Sequence, residues 1–323
     1  VCKSFVRNRE HDLVPVGGDC HSLHKPFATS LRMGNLGYQS DAQASLIVCY
    51  NDIAQYTKTL KGALETPYKP YEHLGLKDSQ GNYQQLTTNL LQIENEFYSP
   101  IRPKRTAASG ETPIEALHNK GVEYIEVRCV DLNPLAACGI DRETIRFLDT
   151  FLLFCLLKDS PKTNNNEYQQ ITENQRRTVA DGRNPDLELV DGDKQRKLVD
   201  WGLDLVTEMQ PVGALLDQAN DTDEYSATLA RMSERLQNNS LTPAAMLLDE
   251  MQEHNETYYR MAMRKAVEHR EYFRSEKLPS QVIEKYQQLA AQSQLEQQQI
   301  EASETLSFDD FLAAYYHRDS LVT

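Results

Sequence analysis

The spacing of hydrophobic positions changes along this chain at about residue 141. Before that point, short apolar runs at 45–50, 86–98 and 122–132 are separated by glycine and proline, which is typical of strands joined by loops. One helix is predicted near 52–64. After that point, apolar residues recur at helical spacing, as in Ile145, Leu148, Leu152 and Leu156 behind a capping Asp141.

The second part of the chain predicts several further helices. Thr242 followed by Pro243 is a typical helix start, and one long amphipathic helix is expected behind it, with a stripe from Leu247 to Tyr272. An apolar helix is predicted around 308–315. Polar runs at 164–166 and 220–224 predict loops.

The fold class that follows is α+β. We expect residues 1–140 to form a sheet region with loops and residues 141–323 to form a helical region packed on it.

Composition excludes some classes of function. The net charge is −14, and residues 111–323 hold 22 Lys and Arg against 38 Asp and Glu. Because proteins bind nucleic acid through clustered positive charge, this acidity argues against a nucleic-acid partner. The longest apolar run, 147–157, is about half of the roughly 20 residues that cross a bilayer, so no membrane role is expected. Six cysteines without a paired framework favour a reducing cytoplasm.

Two of the predicted strands carry polar residues at alternating positions. In 122–130, Tyr124, Glu126 and Arg128 would share one face. In 91–98, the residues on one face would be Gln92, Glu94, Glu96 and Tyr98. Such a polar face could simply meet water, as in many antiparallel sheets. It could also form a phosphoryl-transfer site, because carboxylates bind magnesium and guanidinium groups neutralise phosphate.

The segments around these strands add candidate phosphate contacts. The segment 25–38 concentrates arginine, tyrosine and glycine in a predicted loop. The basic stretch 101–105 could attract phosphate or be a solvated exit loop, and the sequence favours neither. Neither a phosphate-binding loop of the G-x-x-x-x-G-K-[ST] type nor a G-x-G-x-x-G motif occurs, so side chains and metal would have to hold a nucleotide.

Three strings resemble a known family. They are ATSLRMGNLGYQS at 28–40, LQIENEFYSPIRPKR at 91–105 and GVEYIEVRCVDLNP at 121–134, and they resemble the proteobacterial glutamate–cysteine ligases. The likeness is strong as far as about residue 157 and looser afterwards, and it covers roughly the last three fifths of a family member.

The resemblance implies part of an antiparallel sheet of the glutamine-synthetase type, in which ATP, glutamate and magnesium ions meet. It also implies small-molecule substrates, with glutamate joined to cysteine through a γ-glutamyl phosphate. By motif, Glu126 would be a magnesium ligand, and Arg32 and Arg128 would hold the phosphates or the acyl phosphate. Tyr38 and Tyr98 would line the pocket for cysteine.

The resemblance covers only part of a family member, and two other interpretations of the function are open. The chain lacks an initiating methionine and is interpreted as a C-terminal fragment, without the strands that carry most of the family's acidic metal ligands. We therefore expect the isolated fragment to have negligible ligase activity. The rivals are a non-catalytic helical interaction module and a related ligase that joins a carboxylate to a different amine.

Overall fold

Helices make up most of the described protein. The computed structural model describes residues 1–6, 11–16, 19–108 and 111–318. In these residues the helices are α1 Ile53–Glu65, α2 Lys69–Leu74, α3 Pro113–Lys120, α4 Arg142–Leu157, α5 Asn165–Asp181, α6 Leu198–Asn220, α7 Glu224–Gln237, α8 Pro243–Glu253, α9 Tyr258–Ser275, α10 Ser280–Ser303 and α11 Phe308–Arg318.

The described strands are short and pair two by two. They are β1 Val14–Val16, β2 Asp19–His24, β3 Ile101–Lys104, β4 Tyr124–Val127, β5 Glu188–Asp191 and β6 Lys194–Lys197. The pairs are β1 with β2, β3 with β4 and β5 with β6. Helices combined with small antiparallel sheets confirm the predicted α+β class.

The chain divides into two compact units, each built from several stretches of sequence. The first unit comprises Val1–Asp41, Tyr98–Ile101 and Val127–Val267, and the second comprises Ala42–Phe97, Arg102–Glu126 and Glu268–Thr323. The predicted site residues are therefore divided between the units. The first unit contains Arg32, Tyr38, Tyr98 and Arg128, and the second contains Glu126. The proposed boundary between 1–140 and 141–323 stays a prediction.

Each unit has its own apolar core. In the second unit, Leu91 is fully buried among residues of α1 and α3. In the first unit, Phe154 of α4 packs with Met209 of α6 and Leu229 of α7. A Cβ atom at Gly213 would lie 2.9 Å from Leu229 Cδ1, so the missing side chain lets α6 approach α7 closely.

Several predicted helices are confirmed together with their caps. Helix α1 begins behind Asp52, whose side chain accepts a hydrogen bond from the amide of Gln55 at 2.7 Å. Helix α4 begins behind Asp141 in the same way, through the amide of Thr144. The C-terminal helix is confirmed as α11. These caps satisfy amides that the first turn leaves without a partner.

Two predicted strands were wrong. Residues 45–50 form no strand, and 86–98 contains turns and a short 3₁₀ helix, Glu94–Glu96. Side chains replace a sheet ladder there, since Gln92 Oε1 accepts from the amide of Leu86 and Glu96 Oε2 accepts from the amide of Gln92, both at 2.7 Å. The predicted shared face of 91–98 therefore does not exist.

The predicted strand 122–132 was too long. Only Tyr124–Val127 is a strand, and Tyr124 and Ile125, which alternation would place on opposite faces, are both 50% exposed. Arg128 follows the strand directly, so strand alternation does not set its direction.

The long helix predicted from Thr242 was also wrong, because it breaks into α8 and α9. Asn255 between them has a φ of 50°, the left-handed conformation that ends helices. After the break, α9 returns to α8, where Lys265 and Arg264 pair with Glu250 and hold the pKa of that carboxyl at about 2. Thr242 is the N-cap residue, but its hydroxyl makes no cap hydrogen bond.

The predicted loop at 164–166 was partly wrong as well. Asn164 caps α5 by accepting from the amides of Asn166 and Glu167, and the helix begins at Asn165. Asn and Asp favour such caps because their short side chains reach the first amides of the helix. Within the predicted loop at 220–224, residues 221–223 form the connection from α6 to α7.

Within the described residues, no helix combines the length and the apolar character needed to cross a bilayer.

The first unit's core gives a stability prediction. Leu229→Ala should lower the free energy of unfolding by about 3 kcal/mol, because it leaves a cavity between α4, α6 and α7. Urea unfolding measures this loss. Leu215→Ala on α6, where the side chain is 52% exposed, is the control and should change stability by less than about 1 kcal/mol. Equal losses in the two variants would contradict this description of the core.

Candidate active site

A loop in the first unit positions Arg32 and Tyr38. The carboxylate of Asp131 accepts hydrogen bonds from the backbone amide of Arg32, at 2.8 Å, and from the hydroxyl of Ser30. The amide of Tyr38 donates to the carbonyl of Arg32 at 2.5 Å. A Cβ atom at position 37 would lie 2.1 Å from that carbonyl oxygen, so glycine is required for this close turn.

Arg128, which directly follows β4, contacts both Arg32 and Tyr38 of this loop. Its amide donates to the carbonyl of Pro100 at 2.7 Å, and its carbonyl accepts from Arg32 Nε at 2.6 Å. Its guanidinium also donates to the hydroxyl of Tyr38. The backbone and the side chain of Arg128 thus connect two segments that are distant in sequence.

The ring of Tyr38 lies beside both guanidinium groups. Arg32 Cζ is 5.0 Å and Arg128 Cζ is 5.8 Å from the ring centroid, distances at which a cation is attracted to an aromatic face. Tyr98 meets the same ring edge to face, with the centroids 4.2 Å apart. We call Arg32, Tyr38, Tyr98 and Arg128 the Arg–Tyr cluster.

The charge of the Arg–Tyr cluster favours an anionic ligand. Two guanidinium groups are held against one ring, and Asp131 supplies one compensating carboxylate. Arginine presents its donors in a planar fork that matches phosphate and carboxylate groups. The cluster therefore has the chemistry to bind an anionic group beside an aromatic surface.

Glu126, the fifth predicted residue, belongs to the second unit. It lies in β4, and its Oε2 is 3.7 Å from Lys104 Nζ. Its side chain is 32% exposed, but the Oε2 atom itself is buried.

The basic stretch 101–105 makes contacts within the protein. Arg102 is buried and donates to the carbonyl of Asn95 at 3.1 Å. Arg105 donates to the carbonyl of Lys120 at 3.2 Å and lies 3.8 Å from Glu123. These contacts give the stretch a structural role, without deciding between the two predicted alternatives.

Asp131 and Ser30 were not predicted from the sequence as site residues. Both lie inside the strings that carry the family resemblance, but they have no metal-ligand or nucleophile pattern of their own. The partners of Asp131 lie about a hundred positions earlier in the chain. The one feature of the sequence that could have indicated Asp131 is its position, three residues after Arg128.

Comparisons with known proteins decide the family. A family model described as glutamate-cysteine ligase matches residues 1–178, which is more than half of the chain. The chain belongs to the glutamate–cysteine ligase family. A glutamate–cysteine ligase of Alcanivorax borkumensis is 44% identical over 98% of this chain and 61% of its own length. One of Pseudomonas putida W619 is 45% identical over 97% of this chain and 59% of its own length.

A solved structure of a glutamate–cysteine ligase has the same fold as this chain. The crystal structure of glutamate–cysteine ligase from Francisella tularensis in complex with AMP matches with a TM-score of 0.90 at 33% identity, covering 99% of this chain and 62% of that one. A bifunctional glutathione synthetase from Pasteurella multocida shares the fold over 76% of this chain and 28% of that one, with a TM-score of 0.55 at 19% identity. The chain spans about three fifths of the length of the curated relatives it matches.

The hydrogen bonds of Asp131 generate a prediction about the loop. Asp131→Asn removes the negative charge that the amide of Arg32 and the hydroxyl of Ser30 share. We expect hydrogen exchange at the Arg32 amide to become about tenfold faster, because bonds to a charged acceptor are stronger than those to a neutral one. Exchange measured by NMR or mass spectrometry tests this. Asp159→Asn, at an exposed site, is the control, and equal exchange in the two variants would contradict the role of Asp131.

Proposed function

We propose that this protein carries out the ATP-dependent ligation of L-glutamate to L-cysteine, the first step of glutathione biosynthesis. The γ-carboxylate of glutamate attacks the γ-phosphorus of ATP to give γ-glutamyl phosphate and ADP. The amine of cysteine then attacks the γ-carbonyl carbon, which forms the amide bond and releases inorganic phosphate and a proton. The observation that carries the proposal is the Arg–Tyr cluster in a chain of the glutamate–cysteine ligase family.

Arg32 and Arg128 bind the phosphate groups in this proposal. Phosphoryl transfer needs positive groups where negative charge develops, and they act best when they are already in place before the reaction. The contacts of Arg32 with the Arg128 carbonyl, and of Arg128 with the Tyr38 hydroxyl, support such pre-organisation. Both arginines therefore stabilise the transferring phosphoryl group and the acyl phosphate.

Tyr38 and Tyr98 bind cysteine. Their edge-to-face contact, with centroids 4.2 Å apart, offers two rings beside the arginines. Aromatic rings make favourable contacts with sulfur, which suits a thiol substrate. Tyr98 is 40% exposed, so a small molecule can reach it.

Glu126 binds Mg²⁺. Magnesium prefers oxygen ligands and is commonly held by one or two carboxylates together with waters and substrate phosphates, so the carboxylate of Glu126 is a suitable ligand. When bound, the ion neutralises charge on the phosphates. Glu250, Glu253 and His254 also lie close enough to share an ion, but Glu250 is already paired with Arg264 and Lys265.

The nucleotide is ATP, and the AMP-bound relative supports this assignment. The partners are the small molecules glutamate, cysteine and ATP, with neither nucleic acid nor membrane involved. The location is the cytoplasm, which the free thiols of Cys2, Cys129, Cys138 and Cys155 support.

The organisation proposed for this activity places the catalytic sheet elements in 1–140 and a supporting helical region in 141–323. One carboxylate, Glu126, is assigned to metal within the described residues. Because a site with several magnesium ions needs more acidic ligands, we propose that a polypeptide of these 323 residues alone has negligible ligase activity.

Arg128→Lys tests the proposed function in the protein at its natural full length. Lysine keeps the charge but loses the planar fork, so kcat/KM for γ-glutamylcysteine formation should fall about 100-fold. The assay measures the dipeptide and the released phosphate with ATP, Mg²⁺, glutamate and cysteine.

Arg274→Lys, at an exposed position, is the matched control and should retain wild-type turnover. Replacing cysteine with other small amines distinguishes this ligase from one with a different amine substrate. Wild-type turnover by Arg128→Lys, or equal turnover with unrelated amines, would overturn the assignment.

A further inference from the structure

Arg183 is a buried arginine whose guanidinium contacts backbone carbonyls. It is 9% exposed. Its Nε donates to the carbonyl of Ala28 at 3.1 Å, and its Nη2 donates to the carbonyl of Pro26. In the described part of the chain, no carboxylate lies within ion-pair distance of it.

Such an arginine is costly to bury. Desolvation lowers the pKa of the Arg183 guanidinium, and the charge of Asp249 acts in the opposite direction. A buried charge is tolerated when hydrogen bonds replace its water. The carbonyls of Pro26 and Ala28 take the place of water around the Arg183 guanidinium. Burial of Arg183 therefore links its side chain to the backbone of this segment.

The end of α5 holds the same loop through further contacts. The amide of Arg183 donates to the carbonyl of Phe27 at 3.0 Å. Thr29 donates from its amide to the carbonyl of Val179 at 3.0 Å and from its hydroxyl to the carbonyl of Thr178 at 2.8 Å. A Cβ atom at Gly182 would lie 2.3 Å from the carbonyl oxygen of Thr178 and 2.7 Å from Thr29 Cγ2, so glycine is needed where α5 ends beside Thr29. We call these contacts the α5 anchor.

The α5 anchor is adjacent to the Arg–Tyr cluster in sequence. Residues 26–29 are held by Arg183 and the end of α5, and the chain then continues to Ser30, which donates to Asp131, and to Arg32. The loop is therefore fixed on both sides of position 30. A mobile loop loses conformational entropy when a ligand binds to it, which weakens binding. A loop that is already fixed avoids most of this loss.

We propose that Arg183 is a positioning residue, which fixes the 26–29 segment so that Arg32 and Tyr38 are pre-arranged for substrate. The proposal rests on the function proposed above for the Arg–Tyr cluster. Arg183 itself touches backbone carbonyls and acts on the substrate through the loop. It lies outside the 1–178 region that matches the family model.

Arg183→Lys in the natural full-length protein tests the proposal. Lysine keeps the charge, but a single ammonium group cannot reproduce the fork between the two carbonyls. We expect the amides of residues 28–33 to exchange about tenfold faster, with no change in α6 and α7. We also expect the KM for cysteine to rise about five- to tenfold while kcat stays within about twofold, because ordering is required at binding.

Two further variants keep the test decisive. Thr29→Val removes the hydroxyl bond to Thr178 with little change of shape, and it should reproduce both effects more weakly. Arg176→Lys, on the same helix and paired with Glu173 at the surface, should leave exchange and kinetics unchanged.

Unchanged exchange at 28–33 in Arg183→Lys would overturn the α5 anchor, and so would faster exchange that spreads equally to α6 and α7. Faster local exchange with unchanged KM and kcat would overturn the positioning role. The exchange measurement does not depend on turnover. If the wild-type protein forms no γ-glutamylcysteine, the proposed function fails, while exchange still decides whether Arg183 holds the loop.

Discussion

The candidate site depends on holding two guanidinium groups against one tyrosine ring. Two like charges repel, and each additional contact offsets part of that repulsion. The ring of Tyr38 faces both cations, and the carbonyl of Arg128 accepts a hydrogen bond from Arg32. Asp131 adds a negative charge at the backbone of Arg32. The cluster thus combines two guanidinium groups, an aromatic ring and a nearby carboxylate, a chemistry that suits an anionic ligand.

The rest of the first unit can be understood as support for this arrangement. The residues of the cluster lie on irregular segments, which have no sheet ladder or helix to fix them. Side chains and the end of α5 fix them instead. Asp131 accepts a hydrogen bond from Ser30, and Arg183 and Thr29 make the contacts before Ser30 in the chain. The same unit also contains the apolar core of α4, α6 and α7. Catalytic precision on a loop requires a supporting shell of this kind.

Local signals in the sequence predicted much of the fold. Asp52 and Asp141 cap their helices because a cap needs only the next few residues. The strand predictions failed where side chains competed with the ladder, as Gln92 and Glu96 do within 86–98. The helix break at Asn255 was missed because the periodic stripe continues through it, although Asn favours a left-handed turn.

The site was predictable to a lesser degree. Arg32, Tyr38, Tyr98 and Arg128 were selected by motif and lie together, while their roles stay predictions. Asp131 and Arg183 were not found, because their partners are 99 to 157 positions away and sequence spacing carries no signal for such contacts.

The most direct test of the central claim is a double-mutant cycle on kcat/KM for γ-glutamylcysteine formation, with Arg128→Lys, Tyr38→Phe and the double variant. If the two residues act as one unit, their effects on the transition state are not additive, and the coupling free energy is about 1 kcal/mol or more. Additivity within about 0.3 kcal/mol would contradict the account, because the guanidinium and the tyrosine would then act independently.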